Sequence, residues 1–404
     1  MIVGIIGAGA AGMAAAIAAS ENPNTQVLLF ERQARVGKKL LATGNGRCNL
    51  SNINATLAKY HGETPEFVEP AMHRFPVNET LQWFGNMGLF TVTEENGKVY
   101  PYSDQANSVV DILRFALMKA KIELHTGFEV RKVKHTDDGF VVQGDEKTFL
   151  CDRLIVACGG LAGTKLGGSM AGYKLLAQFG HKSTRLRPSL VQLKTAWNGI
   201  SSLKGVRANC SIRIEKDGQL FAQSTGEIQF TDYGISGPVV FEISRDVCYG
   251  PGQWRAVIDF LPDYTMDRML EALCARRSSD LTVDELLTGI VHNRLGRVLT
   301  RTAGLRDQTL ISDLDVSSLQ LVCDVLKAFE LELTEPMGMD SAQVTAGGIV
   351  TSEFNPETME SKRIPGLYAC GEVLDIDGDC GGYNLQWAWS SGRLAGECAG
   401  RNLK

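Results

Sequence analysis

The sequence predicts an α/β fold in which one parallel-sheet domain is interrupted by an antiparallel barrel and a helical segment. Three observations carry that expectation. A short apolar run at the N-terminus leads straight into a glycine-spaced turn and an alanine-rich helix. A second glycine-rich stretch follows within the first 50 residues. From about residue 190 the texture changes to alternating strands and then to helical periodicity, and glycine-rich segments return near residue 347.

Each element has a local reason. Ile2-Val3-Gly4-Ile5-Ile6 is β-rich and apolar throughout, as a strand buried on both faces must be. Gly7-Ala8-Gly9-Ala10-Ala11-Gly12 follows, and Met13 to Ser20 is helix-prone. Val27-Leu28-Leu29-Phe30 is a second buried strand ending in Glu31, nineteen residues after Gly12. This is the G-x-G-x-x-G fingerprint of a Rossmann-like dinucleotide site in its full context. Gly7 permits the tight turn, Gly9 admits a pyrophosphate to the backbone, and Gly12 lets helix and strand pack closely. The helix start at Ala10 and Ala11 offers free N–H groups and a positive dipole to the phosphates. Glu31 accepts from ribose hydroxyls and repels a 2′-phosphate.

Composition narrows the function classes. The chain has 404 residues, of which 43 are glycine, more than the roughly 7% of average usage. The clusters at 4–12, 37–46, 159–172, 347–348, 366–382 and 392–400 are read mainly as backbone thinned against one cofactor. Lys and Arg number 41 and Asp and Glu 46, for a net charge of −5, so no nucleic-acid partner is expected. The ten cysteines form no C-x-x-C pair and the six histidines do not cluster with them, so no metal site is expected. Thiols scattered through apolar runs fit a reducing cytoplasm. Met1 to Ser20 carries no charge, yet it has no basic flank and four glycines by residue 12, which argues against a targeting or membrane segment.

The segment Gly37-Lys38-Lys39-Leu40-Leu41-Ala42-Thr43-Gly44-Asn45-Gly46-Arg47-Cys48-Asn49 decides the length of the cofactor. Lys38 and Lys39 suit phosphates, and Asn45 and Asn49 suit polar ring edges. No second G-x-G-x-x-G occurs, so no separate nicotinamide domain is visible. With Glu31-Arg32 before it, this segment resembles the signature of the HI0933-like bacterial flavoproteins, some of whose members are labelled aminoacetone oxidase or bile-acid 3-dehydro-4,6-reductase. Gly97 to Asp104, Leu154 to Gly160, Phe230 to Pro238, Val344 to Ile349 and Gly366 to Trp387 agree with the same family, so the likeness spans the chain.

The resemblance implies a FAD-binding domain of the glutathione-reductase type over 1–189 and 336–404, a barrel-like insert over 190–262 and a helical insert over 263–335. It implies non-covalent FAD held by Gly7, Gly9, Ala10, Ala11, Gly12, Glu31, Arg32, Lys38, Lys39, Asn45, Gly46, Cys48, Asn49, Val130, Ala157, Gly159, Gly160, Gly371, Glu372, Gly382, Asn384 and Leu385. Val130 would meet adenine through its main chain. Two places depart from the family: Asp232 stands where relatives carry histidine, and Gly168 to Tyr173 lacks an acid.

Between the motifs, Gln105 to Ala120 reads as an amphipathic helix. Gly127–Val133 and Phe140–Gln143 read as strands joined at Asp137-Asp138-Gly139, with Lys147–Cys151 adding a third. Ser211–Glu215, Gln219–Ala222, Glu227–Thr231 and Trp254–Phe260 alternate, and 263–333 shows helical periodicity. A glycine loop at 378–382 leads into a helix near Asn384 whose positive end would face the flavin pyrimidine. Trp389 is expected in the core.

The expected chemistry is hydride transfer between FAD and a small or hydrophobic organic substrate, either C=C reduction or amine oxidation, with NAD(P)H as a transient donor. Substrate is expected between the flavin domain and its insert. Arg47, Tyr383 and Asp232 are the candidate proton donors. A redox disulfide among Cys48, Cys370 and Cys380 is a minor reading. Two other classes stay open: a tRNA-modification type of flavoprotein, and a sensing flavoprotein without turnover. Oligomeric state is not legible.

Overall fold

The computed structural model describes residues 1–401. Five parallel strands form the central sheet, in the spatial order Leu367–Ala369, Arg153–Val156, Ile2–Ile6, Gln26–Glu31, Glu123–Thr126. Ile2–Ile6 lies in the middle, paired with Gln26–Glu31 on one side and Arg153–Val156 on the other. Val3 and Ile5 are fully buried, as a central parallel strand requires.

The helix Ala10–Ser20 follows the first strand at once. Its partner is the C-terminal helix Tyr383–Gly400. A side chain on Gly392, Gly396 or Gly400 would stand 2.4, 2.2 or 2.8 Å from the carbonyl oxygens of Ala11, Ala15 and Ala19 respectively. Glycines every fourth residue on one helix thus meet alanines every fourth residue on the other, and the two backbones touch. The glycine cluster at 392–400 therefore serves helix packing, which corrects its assignment to the cofactor. Helical spacing was the signal that separates the two uses.

An antiparallel meander covers Lys132–Thr136, Gly139–Gln143 and Thr148–Cys151. Its first strand starts later than the expected Gly127–Val133. The preceding stretch Glu123–Thr126 is claimed by the central sheet, and Gly127, at φ +68°, turns the chain away from it.

Met1–Pro188 with Ala342–Lys404 forms one compact unit, and Ser189–Ser341 forms the other. The second holds a closed six-stranded barrel ordered Leu193–Thr195, Gly234–Ser236, Gln219–Phe230, Arg207–Lys216, Trp254–Asp259, Phe329–Pro336. The two short strands expected at 219–222 and 227–231 are one strand of twelve residues. The helices Met266–Ala275, Asn293–Thr302 and Val316–Lys327 lie between the last two barrel strands in sequence. Residues 329–336, expected as the end of the helical segment, instead form a barrel strand. Phe329, Leu331 and Leu333 are buried while Glu330, Glu332 and Thr334 are exposed, a period of two that fits a strand and not a helix.

Candidate functional site

The site grows from the turn after the first strand. Gly7 sits at φ +104°, and a side chain there would lie 2.5 Å from the Ala157 carbonyl oxygen. Gly12 is tighter still, its Cβ position 1.8 Å from the Gly7 carbonyl oxygen. Both glycines are required by packing. Gly9 is different: its φ of −82° is ordinary, and a Cβ there would meet nothing within 4 Å. The space beside Gly9, at the start of the helix through Ala10 and Ala11, is where a pyrophosphate can approach.

Glu31 closes this end. One carboxylate oxygen accepts from Ala8 N–H at 2.9 Å and the other from Gln33 N–H at 2.7 Å. A carboxylate has about four acceptor positions, so capacity for ribose hydroxyls remains. Arg32 reaches the other way and donates to the Gly167 carbonyl at 2.5 Å. Val130 is buried, and its main-chain amide and carbonyl meet no partner among the described residues. That is the opening an adenine edge would fill.

The second glycine segment winds through Gly37, Gly44, Asn45, Gly46 and Cys48, all at positive φ. Gly46 faces open space, and Lys38 is exposed with Gln33 at 3.4 Å. Lys39 pairs with Glu372 at 2.7 Å. The other Glu372 oxygen accepts from Thr345 N–H at 2.9 Å. A side chain on Gly160 would stand 2.5 Å from that oxygen, so Gly160 is glycine to seat Glu372. Gly159, at φ +70°, borders open space. Ala157 packs under Gly7.

The third part is the loop before the C-terminal helix. Gly382 is the helix N-cap at φ +98°, and a side chain there would strike the Ser51 carbonyl at 2.4 Å and Asn49 Oδ1 at 2.8 Å. The first intrahelical bond runs from Gln386 N–H to the Gly382 carbonyl. The Asn384 and Leu385 amides are thus among those the helix itself leaves unpaired. The Asn384 side chain is engaged locally, bracketing Gly378 with two bonds of 2.8 Å. Gly371 N–H donates to Ser391 Oγ, and Trp387 Nε1 donates to the Gly371 carbonyl at 3.2 Å. Trp389 is fully buried and donates to the Leu50 carbonyl, a core residue as expected.

Sequence reasoning missed Gln386. It is fully buried, accepts from Ser51 Oγ at 2.6 Å and donates to Thr80 Oγ1, Ser390 Oγ and the Phe75 carbonyl. This network ties Ser51, just past the second glycine segment, and the Phe75–Thr80 region to the C-terminal helix. The signal was present, since a buried amide on an apolar helix face needs partners.

A dinucleotide with a ring system fits this cradle. Asn49 Oδ1 is buried and has no hydrogen-bond partner among the described residues, directly beside the Gly382 N-cap. Buried acceptors are normally satisfied, so an N–H or O–H from a bound group is expected there. No disulfide joins any of the ten cysteines among the described residues. Burial pushes Cys48 and Cys158 up to about 12 and Cys370 up as well, so they are inert packing. No cluster of metal-ligating side chains occurs among the described residues.

The three candidate proton donors lie in different settings. Arg47 pairs with Asp104 and with Glu94 at 3.0 Å, and its guanidinium stacks 3.9 Å over Tyr100. Asp104 foremost raises its pKa further. Tyr383 is buried in the first turn of the C-terminal helix, its carbonyl accepting from Tyr60 Oη at 3.2 Å. Asp232 belongs to the barrel unit, half-exposed and paired with Lys204 at 2.7 Å, which holds its carboxyl below the usual range.

The profile described as HI0933-like protein Rossmann domain matches residues 1–398. The chain belongs to this family. Membership and the cradle together make it an FAD-dependent oxidoreductase. It is 40% identical over 403 residues, 98% of each chain, to a protein of Clostridium scindens named 3-dehydro-bile acid delta(4,6)-reductase. It is 32% identical over 392 residues, 96% of this chain and 95% of the other, to an Escherichia coli protein named ribosomal RNA dihydrouridine synthase. Among solved structures it resembles 3-ketosteroid delta1-dehydrogenase from Sterolibacterium denitrificans, at 12% identity and a TM-score of 0.49 over 98% of this chain and 99% of that one.

Proposed function

We propose that this protein reduces a C=C bond conjugated to a carbonyl in a hydrophobic organic substrate, with a 3-oxo steroid-type dienone as the leading class. One observation carries the reading. Relatives at 40% and 32% identity, each matched over nearly the whole chain, bear names for the same operation. A 3-dehydro Δ4,6 compound is a dienone, and dihydrouridine is uridine saturated at a C=C conjugated to its carbonyl. Bound FAD supplies a hydride in such chemistry. The chain's own residues then have three tasks. Gly9, the helix start at Ala10 and Glu31 receive the pyrophosphate and ribose. Asn49 Oδ1 and the Asn384 and Leu385 amides receive the polar edge of the ring. The positive end of the C-terminal helix favours negative charge developing on that edge.

A steroid-type substrate is favoured over RNA by charge. The barrel-and-helix unit, residues 189–341, carries 15 Lys and Arg against 21 Asp and Glu, an acidic surface that repels phosphate. NADH or NADPH is the proposed source of electrons. In the test, holo-protein is reduced anaerobically with each nicotinamide. It is then mixed with a 3-oxo-Δ4,6 steroid, with uridine-containing ribosomal RNA, or with oxygen. Steroid reoxidises the flavin and emerges with one C=C bond reduced if the reading holds. Reoxidation by RNA alone replaces it with the uridine reading, and peroxide release with oxygen alone makes the protein an oxidase.

A further inference from the structure

A reductase of this kind needs a proton as well as a hydride, and the three donors legible in sequence are poorly suited. Arg47 is clamped between two carboxylates, and a guanidinium does not release its proton. Lys204 holds Asp232 ionised. Tyr383 is buried, with Tyr60 edge-on to its ring at 6.4 Å.

The loop that leads to the Gly382 N-cap carries another group. His61 Nε2 lies 2.6 Å from Asp379 Oδ1. Backbone pairing fixes the two together. Tyr60–His61 forms an antiparallel ladder with Asp377–Gly378, and Asp379 N–H donates to the Lys59 carbonyl at 2.9 Å. The second Asp379 oxygen takes Lys59 Nζ at 3.1 Å. Asn384 at the helix start holds Gly378 and, at 3.3 Å, the Asp379 carbonyl. The carboxylate is thus largely covered, while the imidazole keeps 35% of its surface exposed. His61 Nδ1 has no partner among the described residues. A carboxylate on one ring nitrogen fixes the ring and its tautomer, leaving the other nitrogen to act outward.

We propose that His61, oriented by Asp379, supplies the proton that completes substrate reduction; this rests on the reductase reading above. The balance is simple. The β-carbon of the C=C gains a hydride, and with it the electron pair by which the cofactor is oxidised. The α-carbon gains the proton that leaves His61 Nδ1. The neutral imidazole regains a proton from water. Asp379 is a positioning residue, and so is Lys59 through it.

The test compares wild-type, H61Q and H61A holo-protein. In H61Q the glutamine amide can still donate to Asp379 but carries no transferable proton. FAD affinity should stay within about twofold of wild type, while anaerobic reoxidation by the 3-oxo-Δ4,6 steroid falls by roughly 100-fold or more. Added imidazole should restore part of the rate in H61A. In the wild-type protein, the ¹⁵N resonance of His61 Nδ1 should shift when a non-reducible 3-oxo steroid binds. Reoxidation of H61Q at the wild-type rate overturns the proposal. So does a loss of FAD affinity that accounts for the lost rate, since His61 is then only a clamp. If H61A does not fold, H61Q and the resonance decide. Failure of wild-type protein itself to be reoxidised refutes the reductase reading and His61 with it, and the wild-type arm alone identifies that case.

Discussion

Gly9→Ala separates a glycine kept for a ligand from one kept for the fold. At Gly9 the backbone is extended, with φ −82° and ψ −166°, and an added methyl would touch nothing within 4 Å. Alanine there is compatible with the native conformation, and such replacements stabilise a chain by about 0.4–1 kcal/mol through the unfolded state. The apo-protein should therefore melt at or slightly above the wild-type temperature. The methyl does, however, occupy the volume a pyrophosphate would approach. Overfilling a tight contact typically costs about 1–3 kcal/mol, which corresponds to roughly 5- to 150-fold in the FAD dissociation constant. Titration of apo-protein with FAD, followed by quenching of flavin fluorescence, measures that constant, and a thermal melt measures the fold. Wild-type FAD affinity in Gly9→Ala would refute the placement of the pyrophosphate, because the substitution has no other consequence in the structure.

Gly12→Ala should behave in the opposite way. Its methyl would lie 1.8 Å from the Gly7 carbonyl oxygen, so the apo-protein should lose about 1–3 kcal/mol and melt earlier; an unchanged melt contradicts the packing described. Asn49→Leu removes a buried acceptor that the protein leaves unpaired, a group worth about 1–3 kcal/mol of desolvation. The apo-protein should be no less stable while FAD binding weakens; a destabilised apo-protein with normal FAD affinity contradicts the role given to Asn49. His181 is buried between Glu353 at 2.7 Å and Ser361 at 2.9 Å, and burial foremost lowers its pKa. The unfolded chain then binds a proton that the folded chain declines, so stability should fall as pH drops below about 6.5. A melting profile in which His181→Gln shows the same acid slope as wild type would count against that.

Much of the fold was legible because its signals are local. The strand–glycine–helix–strand–acid unit is continuous in sequence, and the structure puts Ile2–Ile6 and Gln26–Glu31 side by side in the parallel sheet. The hairpin at Asp137-Asp138-Gly139 was legible for the same reason. What failed depended on competition between distant partners. Glu123–Thr126 is a strand because Gln26–Glu31 offers a free edge, which no property of residues 123–126 announces. Phe329–Pro336 alternates with period two, but it follows three helices in sequence and was absorbed into their pattern. Glycines showed a similar division. Composition counts Gly9 and Gly396 alike, although one borders open space and the other lies against the Ala15 backbone. In the site, residue type marked which side chains matter but not what they touch. Lys39 reads as a phosphate contact and Glu372 as a separate FAD contact in sequence, and the fold pairs them with each other. His61 and Asp379 are 318 positions apart, and only the ladder of Tyr60–His61 with Asp377–Gly378 brings them together.

The proposed reaction of this FAD-binding chain is saturation of a carbonyl-conjugated C=C bond. Its most direct test is the anaerobic oxidative half-reaction: reduced holo-protein mixed with a 3-oxo-Δ4,6 steroid, with the flavin followed by absorbance and the product by mass. The expected result is return of the oxidised flavin spectrum and a product heavier by two hydrogens. A flavin that stays reduced with the steroid, yet reoxidises at once when oxygen is admitted, would contradict it.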